Sequence, residues 1–176
     1  MITSAPWVLY PEIADNPTRE WIFRLPNTTD GDDIYHLISQ CPPLDVNSSY
    51  CNFLQSIHFS TTCVLAEKNG QIAGFISGYI KPNEPNVLFI WQVAVAEFAR
   101  GQGLAYQMLQ SLLNRDALQS VSAIETTITK NNKASWALFD KVAKQYQGGK
   151  VSTFLDKTLH FKDKHDTEYL YRISLK

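Results

Sequence analysis

A nearly unbroken apolar run at residues 87–96, VLFIWQVAVA, is the strongest hydrophobic pattern in the chain. A strand that is apolar on both faces is usually central in its sheet and covered on both sides. A glycine-bearing turn follows at residues 100–105, and apolar residues then recur at helical spacing, at Leu104, Met108, Leu109, Leu112 and Leu113. The pattern therefore predicts a buried strand, a turn and the first turn of a helix, in that order.

The other periodic segments predict strands and helices on both sides of this unit. Strands are predicted at residues 21–25, 62–67, 71–80, 122–129, 153–161 and 169–175, and helices at about 30–41, 49–59 and 133–145. Asn69-Gly70 predicts a hairpin turn, and residues 82–85 predict a loop before the apolar run. The predicted order is β, α, α, β, β, β, α, β, α, β, β, which is an α/β (α+β) fold.

The length of the chain indicates that all of these elements belong to one domain. A chain of 176 residues has room for one domain with a substantial core. Residues 1–20 contain three prolines and no clear period. We therefore expect an extended N-terminal lead at 1–20 and a single domain at 21–176.

Charge and cysteine content argue against several classes of function. Lys plus Arg number 16 against 17 Asp plus Glu, a balance that argues against a nucleic-acid partner. No apolar run has the length of a membrane span, and no signal peptide is visible, so we expect a cytoplasmic protein without a membrane partner. The three cysteines form no C-x-x-C pair and the four histidines lack metal spacing, which predicts reduced thiols and no metal.

The glycine-bearing turn has a chemical use. The first turn of a helix presents free backbone N–H groups and the positive end of the helix dipole, which suit a phosphate or diphosphate. Gly101 and Gly103 allow close approach of the backbone, and Arg100 adds a permanent cation. The third glycine of a dinucleotide fingerprint and the Gly-Lys-Ser/Thr of a P-loop are both missing. An ordinary glycine-rich turn is the plain alternative.

The spacing Arg100-x-x-Gly103-x-Ala105 resembles the acyl-CoA diphosphate loop of the GNAT N-acetyltransferases, Q/R-x-x-G-x-G/A. The resemblance implies a mixed, mostly antiparallel sheet whose fourth and fifth strands splay apart to hold acetyl-CoA, the expected co-substrate. It implies backbone contacts to the cofactor from Val93 and Val95, with an oxyanion contact at Val93 or its neighbour. The other cofactor residues that it implies are the loop residues Arg100, Gly101, Gln102, Gly103, Leu104 and Ala105, together with Asn132, which begins an N-x-x-S-x-x-L-F motif.

Longer segments sharpen this resemblance. They are C-P-P-L-D-V-N-S-S-Y-C-N-F-L-Q at 41–55, E-x-x-G-x-I-A-G-F-I-S-G-Y at 67–79, W-Q-V-A-V at 91–95, A-R-G-Q-G-L-A at 99–105 and H-D-T-E at 165–168. Together they are similar to the L-2,4-diaminobutyrate acetyltransferase family of ectoine biosynthesis. That family transfers acetyl from acetyl-CoA to the 4-amino group of L-2,4-diaminobutyrate, whose product is cyclised to ectoine, an osmotic-stress solute. The resemblance also implies a homodimer.

Acidic residues suit such a substrate. Diaminobutyrate carries two ammonium groups, and only a neutral amine attacks a thioester, although an aliphatic amine has a pKa near ~10. The site therefore needs carboxylates to bind the cation and a base to take its proton. Asp45, in a proline-stiffened loop, and Glu168, before the last strand, are predicted for both tasks, as catalytic and as substrate-binding residues, and the resemblance implies the same two. The plain alternatives are an Asx turn and a solvated charge at a strand end.

Aromatic and histidine side chains complete the predicted substrate site. Tyr50 and Trp91 are predicted to wall the substrate, although Trp91 is almost as well explained as core. His165 is predicted to orient the substrate or relay a proton, with an exposed loop histidine as the alternative. Many family members have Tyr where this chain has Phe139, and phenylalanine cannot protonate the leaving thiolate. Tyr50, Tyr106 and Tyr146 stay open as proton donors, and Tyr50 is included among the predicted catalytic residues.

Two other functions fit parts of the pattern. A polyamine or other amino-acid N-acetyltransferase would share the cofactor loop and differ only in the amine it accepts. A non-catalytic acyl-CoA-binding sensor would share the same fold, and the absence of a tyrosine at Phe139 favours it. A thiol mechanism through Cys51 or Cys63 would need a paired base, and buried cysteines are the better explanation.

Overall fold

The apolar run forms the middle strand of a seven-stranded sheet in the computed structural model, which describes residues 21–146 and 148–176. The lead predicted at residues 1–20 lies outside the described residues. The strands are β1 Ile22–Arg24, β2 Val64–Lys68, β3 Gln71–Lys81, β4 Glu84–Val95, β5 Ala123–Thr129, β6 Gly149–Leu155 and β7 Glu168–Ser174. The helices are α1 Gly31–Ser39, α2 Ser49–His58, α3 Leu104–Leu113 and α4 Lys133–Gln145.

The strand order is β1-β2-β3-β4-β5-β7-β6, and every neighbouring pair is antiparallel except β4 and β5, which are parallel. Three strands lie on each side of β4, as expected for the most continuously apolar strand. The predicted element order and the mixed, mostly antiparallel sheet are confirmed.

The β4 and β5 strands pair over a short length and then separate. Their register runs from Val87 opposite Ala123 to Ile90 opposite Thr126, and no later residue of either strand pairs with the other. At the same level β4 carries a bulge, because Gln92 pairs with Ser77 of β3 whereas Ile90 pairs with Gly78. Trp91 is thus the extra residue. A bulge bends its strand and increases the local twist, and here it coincides with the start of the gap between β4 and β5.

Two apolar clusters hold helices against the sheet. The larger one packs α3 and α4 against the sheet and includes the fully buried Met108, Leu109, Leu112 and Val142. The smaller one packs α1 on β2, β3 and β4 through Ile34, Leu37 and Ile38, which pack with residues such as Phe75 and Ala94. The helices leave open the gap between β4 and β5.

Helix and strand ends follow local hydrogen bonding. The side chain of Ser48 caps α2 by accepting from the backbone N–H of Cys51, and Asn132 caps α4 by accepting from that of Ser135. The strand predicted at 153–161 has the wrong bounds, because β6 spans Gly149–Leu155 and residues 157–163 form turns. The Asp156 carboxylate accepts from the N–H groups of Thr158 and Leu159, which ends the extended backbone. The loop predicted at 82–85 is shorter, since β4 begins at Glu84.

Within the described residues, no helix is long and apolar enough to cross a membrane.

Candidate functional site

A cleft of about 590 Å³ opens beside the gap between β4 and β5. It is lined by the end of β4, the glycine-bearing turn, the start of α3, one face of α4 and residues 41–44. All of the predicted cofactor residues except Gln102 line it: Val93, Val95, Arg100, Gly101, Gly103, Leu104, Ala105 and Asn132. The structure thus brings together residues that the motif placed on three separate elements.

Backbone groups of β4 point into the gap. The N–H of Ala96 donates to the carbonyl of Ala73 on β3 at 2.8 Å. Because hydrogen-bonded and non-bonded pairs alternate along antiparallel strands, Ala94 also directs its backbone groups at β3, and Val93 and Val95 direct theirs away from it. On that side β5 has already separated. The backbone groups of Val93 and the N–H of Val95 are therefore available to a ligand lying in the gap, whereas the carbonyl of Val95 accepts from Arg100 and Cys41.

The start of α3 supplies a second set of donors. Gly103 is its N-cap with φ of +73°, a left-handed conformation that favours glycine. The first hydrogen bond of the helix runs from the N–H of Gln107 to the carbonyl of Gly103 at 3.1 Å. The N–H groups of Leu104, Ala105 and Tyr106 therefore have no partner within the helix. Together with the helix dipole they suit an anionic group such as a diphosphate.

Arg100 and Gln102 also stabilise the turn itself. Arg100 Nε donates to the carbonyl of Val95 at 3.1 Å, and its Nη2 donates to the carbonyl of Gln40 at 3.4 Å. The guanidinium is exposed and lies against the end of β4. Gln102 directs its side-chain amide at the carbonyl of Phe98, at 2.9 Å, and away from the cleft. Only the backbone of Gln102 can therefore serve the predicted cofactor contact.

Three predicted substrate residues meet at one point. His165 Nε2 lies 3.7 Å from Asp45 Oδ2 and 3.7 Å from Glu168 Oε1. His165 Nδ1 lies 2.7 Å from the carbonyl oxygen of Asp166. Since a carbonyl only accepts, Nδ1 carries a proton, and Nε2 faces the two carboxylates. Two carboxylates on either side of one imidazole suit a cationic amine, which both carboxylates attract.

Glu168 has an unusual environment for a carboxylate. Its side chain is 17% exposed, so the alternative of a solvated strand-end charge does not apply. Burial raises the pKa of Glu168, and the nearby Asp45 and Asp166 raise it further. His165 and the Thr127 side chain act in the opposite direction. The Asp45 side chain, in contrast, is 81% exposed, and the neighbouring leucine, Leu44, lines the cleft.

The two predicted aromatic walls lie at the surface. Tyr50 is 69% exposed in the first turn of α2, and Trp91 is 44% exposed. Trp91 makes an edge contact with Tyr79, with ring centroids 6.4 Å apart. The alternative that Trp91 is core is therefore wrong, and both rings are accessible to a ligand.

The residues near the other proposed proton donors differ in their surroundings. Phe139 is 1% exposed and belongs to the large apolar cluster, so its position faces the core. Tyr106 lines the cleft, but its hydroxyl donates to Gln145 at 2.8 Å. Tyr146 is the C-cap of α4. Burial raises the pKa of Cys51 and raises that of Cys63 to about 11, so both thiols stay protonated near neutral pH.

Sequence reasoning missed three residues next to these groups. Gln92 is buried in β4 and hydrogen-bonds the loop that carries Asp45. Thr127 lies against Glu168, and Lys141 lines the cleft with its Nζ 4.0 Å from the centre of the Tyr106 ring. A single polar residue inside an otherwise apolar run was the available signal for Gln92. In the described residues, no group of three or more His, Cys, Asp or Glu side chains forms a metal site.

Known proteins resemble this chain along its whole length. The sequence profile of the acetyltransferase (GNAT) family matches residues 31–143. The L-2,4-diaminobutyric acid acetyltransferase of Vibrio parahaemolyticus is 66% identical over an alignment covering 100% of this chain and 98% of that protein. That of Vibrio cholerae is 57% identical, covering 96% and 98%. The diaminobutyrate acetyltransferase of Paenibacillus lautus, solved with L-2,4-diaminobutyric acid and coenzyme A, has a TM-score of 0.84 and 38% identity, covering 88% of this chain and 95% of that one.

Proposed function

This chain belongs to the GNAT acetyltransferases and, within them, to the L-2,4-diaminobutyric acid acetyltransferases, and from that premise we propose that it transfers acetyl from acetyl-CoA to the 4-amino group of L-2,4-diaminobutyrate. The product is N4-acetyl-L-2,4-diaminobutyrate. The observation that carries the proposal is the meeting of Asp45, His165 and Glu168 beside the open gap of the sheet. These three side chains would bind a cationic amine, and the residues of the adjoining cleft would bind an acyl carrier.

The residues of the cleft fit acetyl-CoA. The unpaired N–H groups at the start of α3 would bind its diphosphate, and Gly101 and Gly103 would allow the close approach that this requires. The backbone of Val93 and the N–H of Val95 would bond the pantetheine amides, and Asn132, the N-cap of α4, also lines the cleft. The N–H of Val93 or its neighbour would stabilise negative charge on the thioester oxygen. The cofactor supplies the activated acetyl group.

The acidic cluster would bind and deprotonate the amine. The carboxylates of Asp45 and Glu168 hold the ammonium, which lowers the entropy cost of bringing it to the thioester. Glu168 accepts a proton from the ammonium, directly or through water with His165 as a relay, and the amine then attacks the thioester carbon. Tyr50 is the proposed donor of a proton to the leaving thiolate, and it regains a proton from the nitrogen that has become the amide. Among the described residues its exposed side chain has no hydrogen-bond partner, unlike the hydroxyl of Tyr106.

The setting of the reaction completes the proposal. We place the enzyme in the cytoplasm, in ectoine biosynthesis, where its product is cyclised to the osmotic-stress solute. Residues 21–176 would form one catalytic domain, and two copies would form a homodimer. On the terminal strands Phe154 is 48% exposed, whereas Tyr171 is 6% exposed and donates to Asp140, so only the former is available to a partner subunit.

Thiol release tests the reaction. The enzyme is mixed with acetyl-CoA and L-2,4-diaminobutyrate, free thiol is followed, and NMR locates the acetyl group on the product. Release with acetyl on N4 is expected. Ornithine and lysine compete in the same assay, although one methylene changes selectivity by only about 1–3 kcal/mol. Bound acetyl-CoA without release for any diamine would instead support the non-catalytic sensor.

Variants then test the acidic cluster. Asp45→Asn and Glu168→Gln should each lower kcat/KM for the amine by roughly 30- to 100-fold, because each removes a charged partner of the ammonium. The affinity for acetyl-CoA should not change. Asp32→Asn, on the exposed face of α1, makes the same charge change away from the cluster and serves as the control. Full activity in both cluster variants would refute the assignment.

A further inference from the structure

Gln92 is a buried polar residue in the most apolar strand of the protein. It is 7% exposed, and both ends of its side-chain amide are bonded. Nε2 donates to the backbone carbonyl of Asp45 at 2.8 Å, and Oε1 accepts from Asn47 Nδ2 at 3.0 Å. A buried amide is tolerated in an apolar strand when its donor and acceptor are both satisfied. Here both partners belong to one loop.

That loop has few other attachments. Residues 45–48 are neither helix nor strand. Within the described part of the chain, the bond from Gln92 is the one backbone hydrogen bond made by residues 45–47. The Asp45 carboxylate is mostly exposed, so packing does not hold it. Its place beside His165 therefore depends on the backbone, which Gln92 holds at Asp45 and the packing of Leu44 on the smaller apolar cluster holds one residue earlier.

The bulge explains how Gln92 reaches the loop. Side chains of a regular strand alternate between the two faces, so residues 89 and 92 would lie on opposite faces. The extra residue at Trp91 shifts this alternation by one, and Gln92 then shares the face of Phe89. Trp91 packs against Tyr79, the cross-strand partner of Phe89, on that same face. The bulge thus places Trp91 and Gln92 side by side on the same face of the sheet.

We infer that Gln92 is a positioning residue for the amine substrate: it fixes the Asp45 loop against β4 and so sets the affinity for the ammonium group. The inference rests on the proposed function, because the substrate contact it controls is that of Asp45. Gln92 touches neither the amine nor the reacting atoms in this scheme. Its loss should therefore change amine binding and leave the chemical step and the acetyl-CoA cleft intact.

Gln92→Met tests this, because methionine keeps the length of the side chain and removes both hydrogen bonds. KM for L-2,4-diaminobutyrate should rise about tenfold, which is roughly 1.4 kcal/mol, with kcat within about twofold of wild type. The affinity for acetyl-CoA should be unchanged. Ser77→Ala is the matched control, because Ser77 is the buried cross-strand neighbour of Gln92 and its hydroxyl has no hydrogen-bond partner among the described groups. That variant should keep the wild-type KM.

A double-mutant cycle separates positioning from general loss of stability. Asn47→Ala removes one of the two bonds, so its effect on KM should be smaller and should not add to that of Gln92→Met. An unchanged KM in Gln92→Met, or equal losses for amine and acetyl-CoA, would overturn the inference. Inactivity of the wild-type enzyme towards the amine would instead refute the proposed function.

Backbone ¹⁵N relaxation in NMR provides a readout that needs no substrate. The order parameters of residues 45–48 should fall in Gln92→Met relative to wild type, and Ser77→Ala should not change them. Equal order parameters in the wild type and Gln92→Met would show that the loop is held without Gln92, whatever amine the enzyme acetylates.

Discussion

Gly101→Ala probes how closely the diphosphate approaches the turn before α3. Gly101 has φ of +74°, and a methyl group built on it would meet no described atom within 4 Å. Gly70, in the hairpin between β2 and β3, has φ of +75° and is equally open. The two positions therefore impose the same backbone cost on alanine, and only Gly101 borders the cleft.

The expected stability loss follows from the backbone. A non-glycine residue in the left-handed region costs about 1–2 kcal/mol. In a protein of this size each kcal/mol lowers Tm by roughly 2–4 °C. Both variants should therefore melt about 2–8 °C below wild type, by similar amounts. Because the methyl groups clash with nothing, neither variant should lose its fold.

Cofactor affinity should separate the two variants. At Gly101 the methyl group would occupy space that the diphosphate needs in order to reach the N–H groups at the start of α3. Losing one hydrogen bond to a charged group costs about 2 kcal/mol, or roughly thirtyfold in Kd. We expect that loss for Gly101→Ala and an unchanged Kd for Gly70→Ala.

Calorimetric titration of coenzyme A into wild type and both variants measures this difference, with thermal unfolding recorded on the same samples. Equal weakening in both variants would mean that backbone strain alone lowers affinity. Wild-type affinity in Gly101→Ala would mean that the diphosphate keeps away from this turn, and the reasoning from the loop motif would then fail.

Three further substitutions test the core and the acidic cluster. Glu125 is buried and accepts hydrogen bonds from Lys81 at 2.8 Å and Arg172 at 2.6 Å. Glu125→Gln should therefore lower the free energy of unfolding, measured in urea, by about 3 kcal/mol. A decrease under about 1 kcal/mol would contradict a stabilising role for this buried ion pair. Phe139→Tyr places a hydroxyl in the packed core and should cost about 1–3 kcal/mol without raising kcat; a faster variant would place this ring in the cleft. Burial raises the pKa of Glu168, so the wild-type protein loses stability as pH rises through that pKa and the side chain ionises. Glu168→Gln should therefore unfold at a higher urea concentration than wild type at pH 8, and this difference should vanish below about pH 4. A difference that does not depend on pH would point to another cause.

Hydrophobic periodicity was sufficient to predict the order of the elements. The apolar run at β4 and the helical spacing after Gly103 are strong local signals, and the capping residues Ser48 and Asn132 act within one turn of the chain. The error at residues 153–161 has the same local origin. Phe154, Leu155 and Phe161 continue an apolar pattern, but one carboxylate at Asp156 bonds the following backbone and ends the strand.

The candidate site was only partly predictable, because much of it depends on pairing between distant strands. The bulge at Trp91 depends on the register between β3 and β4, which no single segment encodes. The meeting of Asp45 and Glu168 at His165 requires a loop before β2 and a turn before β7 to lie at one end of the sheet. The resemblance to a known family supplied these residues as a set, and chemistry alone offered only two suitable acids.

The division between backbone and side-chain contacts also bears on how such a protein can evolve. In the proposed complex, acetyl-CoA is bound largely by main-chain groups of β4 and of the turn before α3, which most substitutions leave in place. The amine is bound by side chains of two short segments, which single substitutions alter directly. Neutral drift can therefore erode sequence identity without loss of the acyl donor, while a few replacements can redirect the enzyme to a new acceptor. Grafting residues 42–50 and 156–168 from a relative is the corresponding engineering route.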